Sequence, residues 1–259
     1  MRGIALDLDG TLLNSARQVS ERNANALLAC KRQGMRIIFA TGRPPRSVRN
    51  LLPPELLDGA AFVYYNGALV VDEAAGLLLH TPIERETAAE ILDYCAERLP
   101  GDARVSLESN DRLFSSRALR DSAFFSPWNK PTICGLNDMK RQTATKLLLT
   151  EFGDAEPRLR ASFAPKTRFI ATDQGKLIQI MHASVSKLTG ILAVCERDGI
   201  AASELLAFGD DHNDLEMFAM SVHGVAMGNA VPELKAAAAE VADTNDNDGV
   251  ARVLERYLS

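Results

Sequence analysis

The sequence predicts an α/β protein, a doubly wound parallel sheet interrupted by an inserted α+β domain. Three observations carry this. Up to about residue 82 the chain reads strand, helix, strand, helix, strand. From Ile83 that order gives way to a long amphipathic helix and a run of strand-like pieces. After His182 the first order returns. The reading places an α/β core in residues 1–82 and 183–259 and an α+β insert in residues 83–182. A chain of 259 residues accommodates two domains of ordinary size.

The elements follow in order. Ile4 to Leu8 is a short apolar run, as in a strand buried on both faces. "SERNANALLACKRQG" reads as a helix with Ser20 as N-cap, an apolar face of Ala24, Leu27 and Leu28, and Gly34 as the stop. "MRIIFATGR" is a strand ending at Thr41, and "PPRSVRNLL" starts a helix with prolines in its first turn. "AAFVYYNGALVV" holds a third strand and a turn at Asn66-Gly67. In the insert, Ile91, Leu92, Cys95 and Leu99 fall in helical step, and "RVSLES", "RLFSS" and "ATKLLLTEF" read as strands. "TRFIATDQGKLIQIM" is a hairpin turning at Asp173-Gln174-Gly175, and a second helix is confined to Pro157–Phe163. Beyond His182, "SKLTGILAVCERDG" is a helix, "ELLAFGDD" a strand and "NDLEMFAM" a helix. "VHGVAMGNA" is a strand and turn, and "PELKAAAAE" and "DGVARVLERYL" are helices.

Hydrophobic residues make up 46% of the chain, enough for a full core. The net charge of −5 and the lack of a basic block argue against a nucleic-acid partner. Cys30, Cys95, Cys134 and Cys195 are widely spaced and form no metal-ligand pattern, so they read as reduced thiols filling a core. No apolar run is long enough to span a membrane, and acids break the N-terminal "MRGIALDLDG" too early for a signal peptide. The expectation is a cytoplasmic protein with no membrane partner.

Ligands of open α/β sheets bind beyond the carboxyl ends of the strands. Four short motifs fall there: "DLDGT" (7–11), "TGR" (41–43), "SK" (186–187) and "GDDHND" (209–214). Asp7 and Asp9 alternate with Leu8, so their side chains leave in the same general direction. Two such charges ~4 Å apart repel by about 4 kcal/mol at an effective dielectric near 20. A hard dication with oxygen ligands removes that penalty, and Mg²⁺ is the usual one. Asp210 offers a third carboxylate. Thr41 and Gly42 supply a hydroxyl and an unhindered N–H at a helix start, which is anion-binding chemistry, and Lys187 supplies a point charge. Acids that want a metal, beside donors that want an anion, suggest a phosphate bridging the two.

In this combination and order the motifs resemble those of the haloacid dehalogenase superfamily phosphatases. The first motif matches at Asp7–Thr11, the second at Thr41–Arg43, the third at Lys187 and the fourth at Gly209–Asp214. "MGNA" at 227–230 and one large insert between the second and third motifs are similar to the Cof-type branch, whose cap is α+β. The short second cap helix departs from that pattern. The resemblance implies a Rossmann-like core and a Mg²⁺-dependent phosphatase of small phosphomonoesters, such as sugar phosphates. It implies Asp7 as nucleophile, forming an aspartyl-phosphate, and Asp9 as general acid and then base. It implies Mg²⁺ on Asp7, the Asp9 backbone carbonyl and Asp210. Thr41, Gly42, Arg43, Lys187 and Asn213 would hold the substrate phosphate, with Asp214 orienting Lys187 or a metal-bound water.

Other residues carry weaker signals. His212 reads as a loop residue near the pocket. Arg43 and Arg46 are placed to meet a charged substrate or to lie in solvent. Trp128 reads as cap core or cap surface, and Lys166 and Arg168 as edge-strand charges. Two other functions share these ingredients. A phosphotransferase or phosphomutase would use the same chemistry. A receiver-type phospho-signalling module also sets acids, Thr and Lys at strand ends, but it is much shorter and carries its acceptor on a later strand.

Overall fold

A computed structural model describes residues 1–118, 129–172, 175–219 and 223–258. The first stretch holds β1 (Gly3–Leu6), α1 (Glu21–Arg32), β2 (Arg36–Ala40), α2 (Pro45–Leu51), α3 (Pro54–Leu57), β3 (Ala61–Tyr64), β4 (Leu69–Asp72) and β5 (Leu77–His80). Next come α4 (Arg85–Arg98), β6 (Arg104–Ser109), β7 (Arg112–Ser115), β8 (Thr132–Ile133), α5 (Leu136–Met139), β9 (Lys146–Thr150), α6 (Glu156–Phe163), β10 (Thr167–Thr172) and β11 (Leu177–His182). The chain closes with α7 (Lys187–Asp198), β12 (Leu205–Gly209), α8 (Leu215–Phe218), β13 (His223–Ala226), α9 (Pro232–Ala237), β14 (Glu240–Val241) and α10 (Gly249–Leu258).

Residue contacts divide the chain into two units. The first comprises Met1–Arg43, Val48–Leu79 and Ser186–Ser259; the second comprises Pro44–Ser47 and His80–Val185. The first unit is built on a sheet ordered β14-β13-β12-β1-β2-β3-β4-β5. Its strands from β14 to β3 are parallel, and β4 runs antiparallel to β3. Strand β1 lies between β12 and β2, with Leu6 opposite both Phe208 and Phe39. Ile4–Leu6, Ile37–Ala40 and Leu205–Phe208 are all buried, as strands covered on both faces must be. The Ser20 hydroxyl accepts the N–H of Asn23 to start α1, and Gly34 leaves it at φ +84°.

The second unit has a sheet ordered β10-β11-β9-β6-β7-β8, antiparallel except for the β7–β8 pair. Ile91 and Leu92 of α4 and Leu159 and Phe163 of α6 pack on Leu107, Leu147, Leu149, Ile178 and Ile180 from one face of it. The second cap helix is thus real but only eight residues long. The other face carries buried polar side chains, among them Lys146, whose Nζ donates to Gln179 Oε1 at 2.9 Å. Cys30, Cys95 and Cys195 are buried, Cys134 is half-buried, and none is in a disulfide. Of the predicted hairpin turn, Asp173 and Gln174 lie outside the described residues, as does Trp128. Among the described residues no helix is long and apolar enough to cross a membrane.

Several elements differ from the sequence reading, among them β14, which takes the last residue of the expected helix "PELKAAAAE", and the unexpected β8 and α5. The first strand ends at Leu6, so Asp7 and Asp9 sit in the turn that follows it. Helix α3 is a single turn beginning at Pro54. The segment after Asn66-Gly67 is two further strands, β4 and β5, where the sequence reads as one strand followed by a turn.

Candidate active site

The site lies within the first unit, at the carboxyl ends of β1, β2 and β12. Asp7 directly follows β1, and its N–H donates to the Phe208 carbonyl at 3.1 Å. Thr41 directly follows β2, with its N–H on the Val63 carbonyl at 2.8 Å. Asp210 directly follows β12. Parallel pairing of these strands brings Asp7 and Asp210, 203 positions apart (210 − 7), to one rim.

Lys187 is the first residue of α7. Its helix begins with a capping box, in which the Ser186 hydroxyl accepts the Thr189 N–H and the Thr189 hydroxyl accepts the Ser186 N–H. The box fixes where the lysine starts. Lys187 is 1% exposed, and its Nζ donates to Asp7 Oδ1 at 2.6 Å and to Asp214 Oδ1 at 2.7 Å. Burial acts to lower its pKa, but the carboxylates of Asp214 and Asp7 outweigh it and hold the ammonium above the ordinary lysine range. Asp214 is fully buried, and its second oxygen accepts the N–H groups of Asp210 and Asp211. Both of its oxygens are therefore occupied, and it orients the lysine and the Asp210 loop together.

Burial drives the Asp7 carboxyl well above the usual carboxylate range; Lys187 opposes this, while Asp214, Asp210 and Asp9 add to it. Asp210 is pushed up to about 7, first by burial and then by Asp214, against the pull of Lys187 and a bond from the Thr11 hydroxyl. The pattern has one cause. Three carboxylates, Asp7, Asp210 and Asp214, can each bring an oxygen within 4.8 Å of the others, and the ammonium of Lys187 bridges two of them. Acids outnumber the cation, and their oxygens are hard donors. The donor set therefore fits a divalent ion such as Mg²⁺. Asp7 and Asp210 are the fitting ligands, since Asp214 is already spoken for. Gly10 makes the close packing possible: at φ +75°, a Cβ there would stand 2.1 Å from Asp210 Oδ2.

Thr41 is 1% exposed, and its hydroxyl accepts the Arg43 N–H at 3.1 Å. The amide of Asn66 lies against Gly42, where a Cβ would come within 3.2 Å of it. The Asn66 N–H donates to the Thr41 carbonyl at 2.9 Å, and its Oδ1 accepts from Asn213 Nδ2 at 3.1 Å. Asn66 thus joins the loop after β2 to the loop after β12. The Asn-Gly pair signals a turn in the sequence, and nothing local marks Asn66 as a site residue. Asn213 Oδ1 is buried without a hydrogen-bond partner among the described residues.

The two acids of the first motif do not share one cation. Asp9 is half-exposed and held by Arg43 in a two-pronged pair, Nε to Oδ2 at 2.6 Å and Nη2 to Oδ1 at 2.5 Å. The guanidinium expected among the phosphate ligands thus lies on the acid. Arg46, the other candidate for a charged substrate or solvent, lies in the second unit. There it pairs with Glu108 at 2.7 and 2.9 Å and with Asp111 at 3.2 Å. His212 is exposed and, rather than lying in a loop, opens the short helical turn His212–Asp214 capped by Asp211.

The chain is similar to known proteins along its whole length. The family model of the haloacid dehalogenase-like hydrolases matches residues 4–254. The 5-amino-6-(5-phospho-D-ribitylamino)uracil phosphatase YitU of Bacillus subtilis is 27% identical over 265 residues, covering 99% of this chain and 97% of that one. Phosphatase YwpJ of the same bacterium is 27% identical over 287 residues, covering 100% of both. Among solved structures, TM0651 from Thermotoga maritima has a TM-score of 0.84 at 27% identity, over 98% of this chain and 97% of that one. The subclass IIB sugar phosphatase BT4131 shares the fold, with a TM-score of 0.82 at 21% identity over 99% of each chain. Fold, family model and relatives together define a phosphatase with an eight-stranded α/β sheet in one unit and a six-stranded, mostly antiparallel sheet in the other. The chain belongs to the haloacid dehalogenase-like hydrolases, in their Cof-type branch.

Proposed function

We propose that this phosphatase hydrolyses small phosphomonoesters, sugar phosphates or similar metabolites, with Mg²⁺ and through an aspartyl-phosphate on Asp7. The observation that carries the reading is the buried Asp7–Lys187–Asp214 relay at the strand ends. Lys187 fixes one oxygen of Asp7 and leaves the other as the nucleophile. That oxygen attacks phosphorus, and the bond from phosphorus to the ester oxygen breaks. Asp9 gives its proton to the departing alcohol. Asp9 then takes a proton from water, water attacks the phosphoryl group, and Asp7 is released with inorganic phosphate.

Lys187, the Thr41 hydroxyl, the Gly42 N–H and the Asn213 amide hold the phosphoryl oxygens. Lys187 can serve both phosphate and Asp7 because Asp214 anchors it from behind. Asp7, the Asp9 backbone carbonyl and Asp210 would hold Mg²⁺, which would supply positive charge to offset repulsion between the phosphate dianion and the acids.

The test separates the two acids. In Asp9→Asn, a substrate with a poor leaving group should lose ~10²–10⁴-fold in turnover. A nitrophenyl phosphate needs little protonation, so it should still phosphorylate Asp7. Hydrolysis then lacks its base. Rapid mixing should show a burst of nitrophenol, and intact mass measurement should show one added phosphoryl group. Steady release with no burst and no added mass would overturn the assignment of Asp9.

A further inference from the structure

The pairing of Arg43 with Asp9 has a consequence for substrate choice. Both oxygens of Asp9 accept from one guanidinium, at 2.6 and 2.5 Å. To deliver a proton to a leaving oxygen, one oxygen of Asp9 must carry that proton and turn toward the ester, and an oxygen so protonated and turned is lost to the guanidinium as an acceptor. At least one prong must therefore open in each turnover. Arg43 is only 20% exposed on its side chain, so water replaces a lost partner poorly. A second anion offered by the substrate would replace it well, because guanidinium binds carboxylate and phosphate in the same two-pronged way.

We infer that Arg43 is a specificity-determining residue that reads an anionic group on the leaving alcohol, a carboxylate or a second phosphate, with Asp9 as its resting partner. The inference rests on the reading of Asp9 as acid and base. The leaving oxygen must touch Asp9 in that reading, and Arg43 already touches Asp9. The first few atoms beyond the ester oxygen therefore pass beside the guanidinium. An anion there draws Arg43 off the acid and frees the acid for the departing oxygen. A neutral leaving group leaves the fork closed and must break it unaided.

Matched probes test this. Propylphosphonate and 3-phosphonopropionate are similar in size and cannot be hydrolysed; the second adds a carboxylate. Calorimetric titration in the presence of Mg²⁺ should show the carboxylate-bearing probe binding wild-type protein roughly tenfold more tightly or better. Arg43→Gln should bring the ratio close to one. Arg43→Lys, which keeps the charge but not the fork, should give an intermediate ratio and guards against a Gln variant that fails to fold. In turnover, 3-phosphoglycerate should be preferred over glycerol 3-phosphate by wild type, and that preference should shrink in parallel.

A wild-type binding ratio near one, or a full preference retained by Arg43→Gln, would overturn the role of Arg43. Hydrolysis without any preference for the second anion would sink it while leaving the phosphatase mechanism standing. A preference in binding that vanishes in Arg43→Gln, with no hydrolysis of either ester, would support Arg43 and count against the hydrolytic reading instead.

Discussion

Lys187 decides the electrostatics of the site. Its ammonium is buried between Asp7 and Asp214 and is the cation that bridges them. Removing it would leave two buried carboxylates facing one another. Breaking such a pair from one side costs about 3–5 kcal/mol, because the survivors stay desolvated. Lys187→Met should therefore lower stability by about 3 kcal/mol or more at pH 8 in urea titrations. At pH 5 the loss should be smaller, since the raised pKa of Asp7 lets that acid take up a proton and shed its charge. An equal loss at both pH values would mean that packing, not charge, sets the cost. Asp7→Asn tests the other end of the pair. The amide keeps the shape but cannot attack phosphorus, so turnover should drop by roughly 10⁴-fold or more, as when other enzymes lose a nucleophile. The lysine keeps Asp214, so the variant should fold. Near-normal turnover in it would remove Asp7 from its role.

The turn between β3 and β4 shows how an element positions a site from outside the motifs. Tyr65, Asn66 and Gly67 have φ of +52°, +54° and +106°, a left-handed run in which two residues are not glycine. Such backbone is costly and persists where its surroundings demand it. Here the demand is visible: Asn66 binds the loop after β2, and a Cβ on Gly67 would stand 2.1 Å from the Ser186 carbonyl at the start of α7. Gly67→Ala should push the first turn of α7 back and displace Lys187. A displacement near 1 Å can cost ~10²-fold in rate, so kcat should fall by about that much, while Asn66→Gly, which keeps the backbone, should fall less. Steady-state kinetics of the two variants decides; an unimpaired Gly67→Ala would show that the close contact is not needed. This turn also marks where the sequence stopped being legible. Asp7, Asp9, Thr41, Lys187 and Asp210 could be read because each follows a strand or starts a helix with its own signature. Asn66 could not, since its role comes from contacts with residues up to 147 positions away. Strands β4 and β5 were missed for a different reason. They are four residues each, and both open as continuous apolar runs in sequence. Leu69–Val71 of β4 alternate in burial but not in residue type, and Leu78 and Leu79 of β5 are apolar yet exposed, so neither carries the sequence alternation that marks a half-buried strand. The partner of Arg43 was equally hidden, because an arginine after a strand looks the same whether it meets solvent or an acid.

At the scale of the whole molecule, the crowded acids should make stability depend on pH in a direction opposite to that of most proteins. A carboxyl held in a salt bridge usually has a lowered pKa and stabilises the fold as pH rises. Asp210 is the reverse, at about 7 in the folded protein against an ordinary value of 3.8. Between about pH 4 and pH 7 the folded chain keeps a proton that the unfolded chain has released. Stability must then fall as pH rises through that window, and the full penalty is present above it. Asp7, raised by burial, acts in the same direction. A divalent ion reverses the situation, because it binds the ionised acids of the folded protein and none of the unfolded chain's separated ones. At about 100 times its dissociation constant, a ligand stabilises by ~2.7 kcal/mol. Protonated acids bind it poorly, so the gain should grow with pH. The expected outcome is a melting transition that, in excess EDTA, falls from pH 5 to pH 8, and that Mg²⁺ raises much more at pH 8 than at pH 5. EDTA should abolish turnover at the same time. Asp210→Asn should flatten the EDTA curve across the window and shrink the Mg²⁺ response, since it removes both the misplaced charge and a ligand. An equal Mg²⁺ shift at pH 5 and pH 8, or an unchanged response in Asp210→Asn, would mean that the ion binds elsewhere and that Asp7 and Asp210 are not its ligands.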